Sequence, residues 1–496
     1  MRQHVGQQRT AGALLVGLLF VASPLCQPAA AQNSTPAKPT KPTTPNPGAL
    51  KQAVMPGLPA GTIVRPQMAK EPGPYIKRSN EREWLTKVNI EVSDRPLSVP
   101  GLTQNTAQPN LFSNFDTFAF YYPVVGLSSN ATLKRVESSR ISMGGDEAYL
   151  RGVYEDEKVT GQNGTPRFQL LKELEARQGI PMPAGTWLTR WSVEEPSPLG
   201  RFKFEIRTIT ECSNTELDWD AAGKVAWPTS GWPLQAAAAL QSQLYIDYIT
   251  EPKTGTPRPF DFEPMKRLIE RVTNGKPKSL PPLQMARQLA AEILPKFTLN
   301  GDPHVRGPDG DKQIVGFKVK PVDETMKTMR GSELDLSVLL VALYREAGIP
   351  ARLVVGLQTE DEDARQKSSR EDKPRAWLEF CLYDEPKNTV TWVPVDPYRI
   401  KRRSSAVPAM DKPWPYFGDH KDMRDLVPLA TQLLPASVNA VSYGDPTLWG
   451  WTISPQVPAS NFTRMTIESE RAPKSSADRE EKPGPGPTNK PVPNRP

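Results

Sequence analysis

Cysteine and histidine are scarce here: three of each in 496 residues, so few side chains could serve as thiolate nucleophiles, imidazole bases or soft metal ligands. No HExxH, CxxC or clustered histidine occurs, which removes the common zinc constellations. The acidic run Glu360-Asp361-Glu362-Asp363 lacks the glycine and the spacing of a calcium loop. With Arg365, Lys367, Arg370 and Lys373 following, it reads as a solvated, partly self-neutralised loop. No metal and no cofactor are therefore expected. Apolar runs of about eighteen residues are also missing, so no membrane span is expected. The net charge of +7 is modest for this length, and the basic residues are not interleaved with aromatics in one stripe. That excludes a nucleic-acid footprint and leaves loose attraction to acidic surfaces or envelope polymers.

Proline is abundant instead: 54 residues, against a usual share of ~5%. Residues 32–78 read as a Pro/Thr-rich linker and residues 472–496 as a disordered Pro-rich tail. Residues 1–31 read as a cleavable signal peptide. Arg2 and Arg9 precede the apolar stretch Ala11 to Ala22, and Ala29-Ala30-Ala31 offers a small-residue cleavage site near Ala31. Leu25 before Cys26 departs from a lipobox, which disfavours lipid anchoring. The mature chain is expected to be secreted or periplasmic. It keeps Cys212 and Cys381, an even number that allows one disulfide, although the two fall in segments assigned to different domains.

Alternation marks residues 79–255 as a β-sandwich domain. Val88, Ile90 and Val92 alternate with polar residues, as do Phe202, Phe204 and Ile206 against Lys203, Glu205 and Arg207, and Phe115 to Val125 adds an aromatic strand. Gly144-Gly145-Asp146 and Gln162-Asn163-Gly164 supply turns. Helical spacing follows from Phe262, with one helix opened by Pro264 and ended by Asn274-Gly275, and another opened by Pro281-Pro282. Residues 256–430 form the second domain, and residues 431–471 are expected to pack on it as strands and loops. The fold class is α+β.

Two segments of the second domain carry the chemistry: MRGSELDLSVLLVALYREAGIPARLVVG from Met329 and RAWLEFCLYDEPKNTVTWVPVDPYR from Arg375. In the first, Ser332 reads as a helix N-cap with Asp335 completing a capping box, and the apolar run Leu334 to Tyr344 reads as a buried helix. Gly348-Ile349-Pro350 stops it. In the second, a turn at Asp384 to Lys387 pairs Tyr383 with Asn388, Glu379 with Trp392 and Arg375 with Asp396.

Together these segments resemble the transglutaminase-like superfamily, whose pattern reads roughly G-x-C-x-D, an apolar helix, GIPAR, then HAW-x-E and W-x-P-x-D. The resemblance implies a papain-like core, a helix packed on an antiparallel sheet, with a groove for an extended polypeptide. About fifteen residues separate the family's nucleophile from the glycine of GIPAR, and Gly348 lies fifteen after Glu333. Glu333 therefore occupies the cysteine position, Arg375 the histidine position, and Asp396 matches the third member of the triad.

A Glu333–Arg375–Asp396 cluster holds no thiolate, and arginine shuttles no proton at pH 7. It is read as structural, with no catalytic residue expected and no group titrating near neutrality. Cys381 lies on the strand of Arg375, but six residues at ~3.3 Å each put it roughly 20 Å away. Cys212 has no base nearby, His304 falls in a Gly/Pro-rich loop, and His420 follows Tyr416-Phe417-Gly418-Asp419. A paired-carboxylate site at Glu333 and Asp396 is disfavoured because Arg375 should depress both pKa values, where a general acid needs one raised. Trp377, Trp449 and Trp451 are the candidate ligand-binding aromatics. The favoured reading is an exported, catalytically inactive transglutaminase-like protein that binds an extended polypeptide or envelope component, or acts as a scaffold. The alternative is an active thiol-dependent acyl transferase or cysteine peptidase with a displaced site.

Overall fold

The computed structural model describes residues 72–93, 117–142, 149–152, 167–170, 186–193, 201–250, 257–307, 310–359, 373–403, 406–410, 412–434, 446–454 and 462–472. The leader, nearly all of the linker, the acidic run, the two glycine turns and all but the first residue of the tail lie outside them. The principal strands are β1 (Ile76–Ser93), β2 (Thr117–Val125), β3 (Ala131–Ser142), β4 (Tyr149–Gly152), β5 (Arg167–Leu170), β6 (Thr186–Val193), β7 (Arg201–Leu217), β8 (His304–Gly307) and β9 (Gly310–Phe317). They continue with β10 (Ala351–Gln358), β11 (Lys373–Asp384), β12 (Thr389–Val395), β13 (Leu426–Ala430), β14 (Gly450–Ser454) and β15 (Phe462–Arg471). The helices used below are α1 (Glu263–Thr273), α2 (Pro282–Ile293), α3 (Val322–Thr328), α4 (Glu333–Glu346) and α5 (Pro397–Arg403). The mixture is α+β and rich in antiparallel strands.

A seven-stranded sheet runs β8-β9-β15-β1-β7-β3-β4, and a four-stranded one runs β14-β2-β6-β5. The alternation read from sequence sets the faces: Val88, Ile90, Val92, Phe202, Phe204 and Ile206 are buried, with Lys203 exposed between them. Tyr122 and Val124 of the second sheet join the same buried cluster. β8 and β9, from within residues 256–430, extend the first sheet, and the C-terminal β15 and β14 lie in the first and second sheets, while Leu433, Leu448, Trp449 and Met465 share the main buried cluster with the helices. Long-range ladder bonds decide this, with β15 matched to β1 over Trp84↔Arg471 through Ser93↔Phe462.

The core sheet runs β12-β11-β10-β13. Against it lies α4, whose interior from Leu334 to Arg345 is buried throughout. Pro264 and Pro282 sit in the first turns of α1 and α2 as their fixed φ favours. Asn274 ends α1 in the left-handed region at φ 51°, and Gly348 follows α4 at φ 83°. These helices thus start and stop where their sequence signals place them.

The β11–β12 hairpin is correct in kind and shifted in register. Asp384 pairs with Thr389, Tyr383 with Val390 and Glu379 with Pro394, so the turn is Glu385 to Asn388. Asn388 closes it at φ 50°, a conformation asparagine tolerates. The slip of two residues keeps every side chain on its predicted face, since strands have period two.

Candidate functional site

The site begins at the N terminus of α4. The Ser332 hydroxyl accepts from the Asp335 amide (3.2 Å), and the Asp335 carboxylate accepts from the Ser332 amide (2.8 Å) and hydroxyl (2.9 Å), closing the predicted capping box. The amide of Lys320 donates to the same carboxylate at 2.8 Å. Gly331 is required by this packing: a Cβ there would stand 2.7 Å from both the Cβ and a carboxylate oxygen of Asp335. Glu333 is the first residue of the helix, at the positive end of its dipole, and the Ala376 backbone supplies a hydrogen bond to its carboxylate.

Arg375 on β11 joins the two acids. Its Nε lies 3.4 Å from a Glu333 oxygen, and its Nη2 donates to Asp396 at 3.1 and 3.4 Å. Its Nη1 donates to Gln358 Oε1 at 3.0 Å, and the guanidinium rests 4.6 Å from the centre of the Tyr398 ring. Asp396 also accepts from the Arg399 amide (2.9 Å) and lies 3.5 Å from the Arg399 Nε. Asp396 is just past the end of β12, so the long arginine reaches it diagonally in place of the directly opposed pairing that was expected.

The electrostatics correct one expectation. Burial is the largest influence on Glu333 and pushes its pKa up from 4.5 to about 7; Arg375 pulls it down, while Asp396 and Asp302 add to the rise. The cluster therefore does contain a group that titrates near neutrality, because desolvation of an acid exceeds the attraction of an arginine 3.4 Å away. Burial alone would lower the Arg375 pKa, but the two carboxylates outweigh it and the net shift is upward. A raised acid beside a second carboxylate is one requirement of glycosidase-type chemistry. The second carboxyl, Asp396, is 1% exposed and bonded to Arg375 and the Arg399 amide.

The remaining candidates disperse. Trp377 is fully buried, its indole lying over Gly356, where a Cβ would approach to 2.5 Å. Trp449 is fully buried in the main core. Neither offers a ring face to a ligand, which corrects their assignment as binding aromatics. Trp451 pairs through its backbone with Phe120, and its side chain lies outside the described residues. Cys212 and Cys381 are free thiols in separate buried clusters, and burial pushes both thiols well above their ordinary pKa.

His304 also differs from the expected loop. His304 is in β8, its Nδ1 2.7 Å from Asp302 Oδ1, with burial lowering its pKa. His420 forms an isolated bridge with Thr215. Its ring is fully buried, and burial brings its pKa down to about 4 against the opposing pull of Asp396. Its Nε2 donates to the Pro394 carbonyl at 3.4 Å, leaving a neutral imidazole at pH 7. Among the described residues no group of three acidic, thiol or imidazole side chains is placed to hold a metal.

A second ion pair has no counterpart in the sequence-based expectations. Arg352 of GIPAR and Glu379 of RAW-x-E are directly opposed on β10 and β11 and bond at 2.9 and 2.6 Å, both fully buried. Glu379 also accepts from the amide (2.7 Å) and hydroxyl (2.6 Å) of Ser129, while Arg352 stacks 4.2 Å from the centre of the Trp392 ring. Asn130 beside it donates to the carbonyls of Met423 (2.9 Å) and Leu426 (2.8 Å). These two motif charges thus clamp the Ser128-Ser129-Asn130 turn onto the core sheet. Opposite charges at facing strand positions were the available signal.

No curated protein matches the chain. Among solved structures it is similar to a proposed cysteine protease from Cytophaga hutchinsonii, at 10% identity, with 80% of this chain and 92% of that one covered and a TM-score of 0.40. It is also similar to the periplasmic domain of TgpA from Pseudomonas aeruginosa, at 14% identity, 60% and 94% coverage and a TM-score of 0.23. Likenesses this weak carry no argument about function. The family model of the transglutaminase-like superfamily matches residues 266–397. That stretch holds α4, the β10–β11–β12 sheet and all three cluster residues, and it is a transglutaminase-like domain.

Proposed function

We propose that the chain is an exported protein whose transglutaminase-like domain has lost catalysis and serves as a polypeptide-binding or scaffolding surface, in the periplasm or outside the cell. The observation that carries this reading is the pairing of Glu333 at the start of α4 with Arg375 on β11, where acyl transfer would need a thiolate and an imidazole. Losing either group alone costs catalysis many orders of magnitude. Export rests on the charged, apolar and small-residue order of residues 1–31. Among the described residues no helix is long and apolar enough to cross a membrane. A displaced thiol site would have to use Cys212 or Cys381, both without exposed surface.

The test is amine incorporation into a glutamine-containing protein, together with peptide hydrolysis, by the purified mature chain. No turnover above buffer is expected. Turnover abolished by Cys381→Ala or Cys212→Ala would refute the inactive reading and establish the displaced-site alternative.

A further inference from the structure

Three Asn-Gly pairs occur in the chain: Asn163-Gly164, Asn274-Gly275 and Asn300-Gly301. The first lies outside the described residues. Such pairs are chemically distinctive because glycine has no Cβ, so its amide nitrogen can swing against the asparagine carboxamide. The two described pairs are closely matched. All four residues are exposed, and both glycines sit in the left-handed region, Gly275 at φ 73° and Gly301 at φ 94°. A Cβ at either glycine would meet nothing within 4 Å, so both stand in open space.

They differ at the atom that would react. The Gly275 amide donates to the Glu270 carbonyl at 2.8 Å, as part of the C-terminal cap of α1. Swinging that nitrogen toward the Asn274 side chain breaks the cap. The Gly301 amide has no partner among the described residues, and neither has the Asn300 carboxamide. The chain is nevertheless fixed on either side. The Asn300 amide donates to the Gly331 carbonyl at 2.7 Å, continuing the short parallel ladder Thr298↔Arg330 and Leu299↔Gly331. Beyond the glycine, Asp302 Oδ1 accepts from the His304 amide at 3.0 Å, and the Pro303 carbonyl accepts from the Lys318 amide at 2.7 Å. One exposed peptide unit is thus left free between two anchored segments.

We propose that Asn300-Gly301 is a site of spontaneous modification, where the asparagine converts through a cyclic imide to aspartate and isoaspartate, while Asn274-Gly275 is protected by its helix cap. The Gly301 N–H gives its proton to hydroxide, and the nitrogen forms a bond to Asn300 Cγ. The Cγ–Nδ2 bond breaks, and the carboxamide nitrogen leaves as ammonia after taking a proton from water. Water then adds to one of the two imide carbonyls and cleaves its C–N bond. Opening at Cγ gives aspartate; opening at the backbone carbonyl gives isoaspartate, with an added methylene in the main chain. The net change is water consumed and ammonia released, with no oxidation or reduction. Either product puts an anion on the loop that carries Asp302, whose charge already acts on Glu333. The proposal stands whether or not the domain is catalytic.

The test is peptide mapping by mass spectrometry of the mature full-length chain, held native at mildly alkaline pH over days. Trypsin releases the two pairs separately, in Phe297–Arg306 and Val272–Lys278. The first peptide is expected to gain the mass of OH in place of NH2 and to split into two chromatographic forms. It should do so several-fold faster than the second, where a hydrogen bond worth about 0.5–1.5 kcal/mol must first be lost. Unfolded in denaturant, the two should convert at similar rates. Asn300→Gln should remove the conversion from Phe297–Arg306. The proposal is overturned if the native chain converts both peptides equally fast, or if Phe297–Arg306 keeps its mass natively while the denatured chain converts it. A rate difference that persisted in denaturant would also overturn it, by tracing the contrast to neighbouring sequence instead of the cap.

Discussion

Replacing Glu333 by glutamine should stabilise the protein at alkaline pH and change little at acidic pH. The carboxyl has an ordinary pKa of 4.5 and is pushed up to about 7 when folded, with burial as the first cause. At 1.36 kcal/mol per tenfold change in proton affinity, that rise corresponds to about 3 kcal/mol. The sign follows from proton counts. Below pH 4.5 folded and unfolded chains both hold the proton, so the group contributes no penalty. Between 4.5 and about 7 the unfolded chain releases it first, so stability falls as pH rises; above that both are ionised and the loss is complete. Glutamine keeps the shape and a neutral headgroup at every pH. Urea unfolding of wild type and Glu333→Gln at 25 °C, from pH 4.5 to 8.5, should give a difference near zero at the acid end. It should grow to about 3 kcal/mol in favour of glutamine at the alkaline end, with most of the change between pH 4.5 and about 7. A difference that stays flat across that range would refute the reasoning, and one that favours glutamate at pH 8 would mean the Arg375 contact exceeds desolvation.

Arg375→Ala should cost about 3–5 kcal/mol in the same measurement, since it leaves Glu333 and Asp396 buried without their shared partner. Arg375→Lys should recover only part, because one ammonium cannot reach Gln358 and Asp396 while lying flat on Tyr398. Gly331→Ala should lower stability by roughly 1–3 kcal/mol through the clash with Asp335 and loss of the cap, whereas Ser332→Ala should cost about 1 kcal/mol. A thiol reagent should leave Cys212 and Cys381 unmodified in the native mature protein and label both promptly in denaturant; fast native labelling would contradict their burial.

The local half of this architecture was legible. Ser332 with Asp335, Pro264 with Asn274, and the alternating Val88, Ile90 and Val92 each state a conformation through neighbours a few residues away, and each is found as read. The hairpin slipped because the turn could close at Lys387 or Asn388, and only the left-handed tolerance of asparagine separates the two. Sheet membership of β8, β9, β14 and β15 was not legible, since their strand signals say nothing about which distant edge they will join. The cluster Glu333–Arg375–Asp396 was identified correctly as a contact set. Its proton affinity was misjudged because the sequence displays charge sign, while the Glu333 shift is set by depth. Trp377 and Trp449 failed for the same reason: exposure of an aromatic ring is a property of the packed core.

The pairing of β1 with β15 has a consequence in time. Trp84 and Arg471 are neighbours across a ladder, yet stand about 390 residues apart along the chain. One side of β1 can be occupied by β7 early. The other waits for nearly the whole polypeptide, and at roughly 5–20 residues per second of synthesis that is on the order of 20–80 s. During that interval an edge of unpaired amides and carbonyls is open to any extended segment that passes. The long separation of the paired strands is expected to slow closure of this sheet, and a holding factor that shields the edge of β1 is expected to raise the recovery of native protein more than one acting on the helical core.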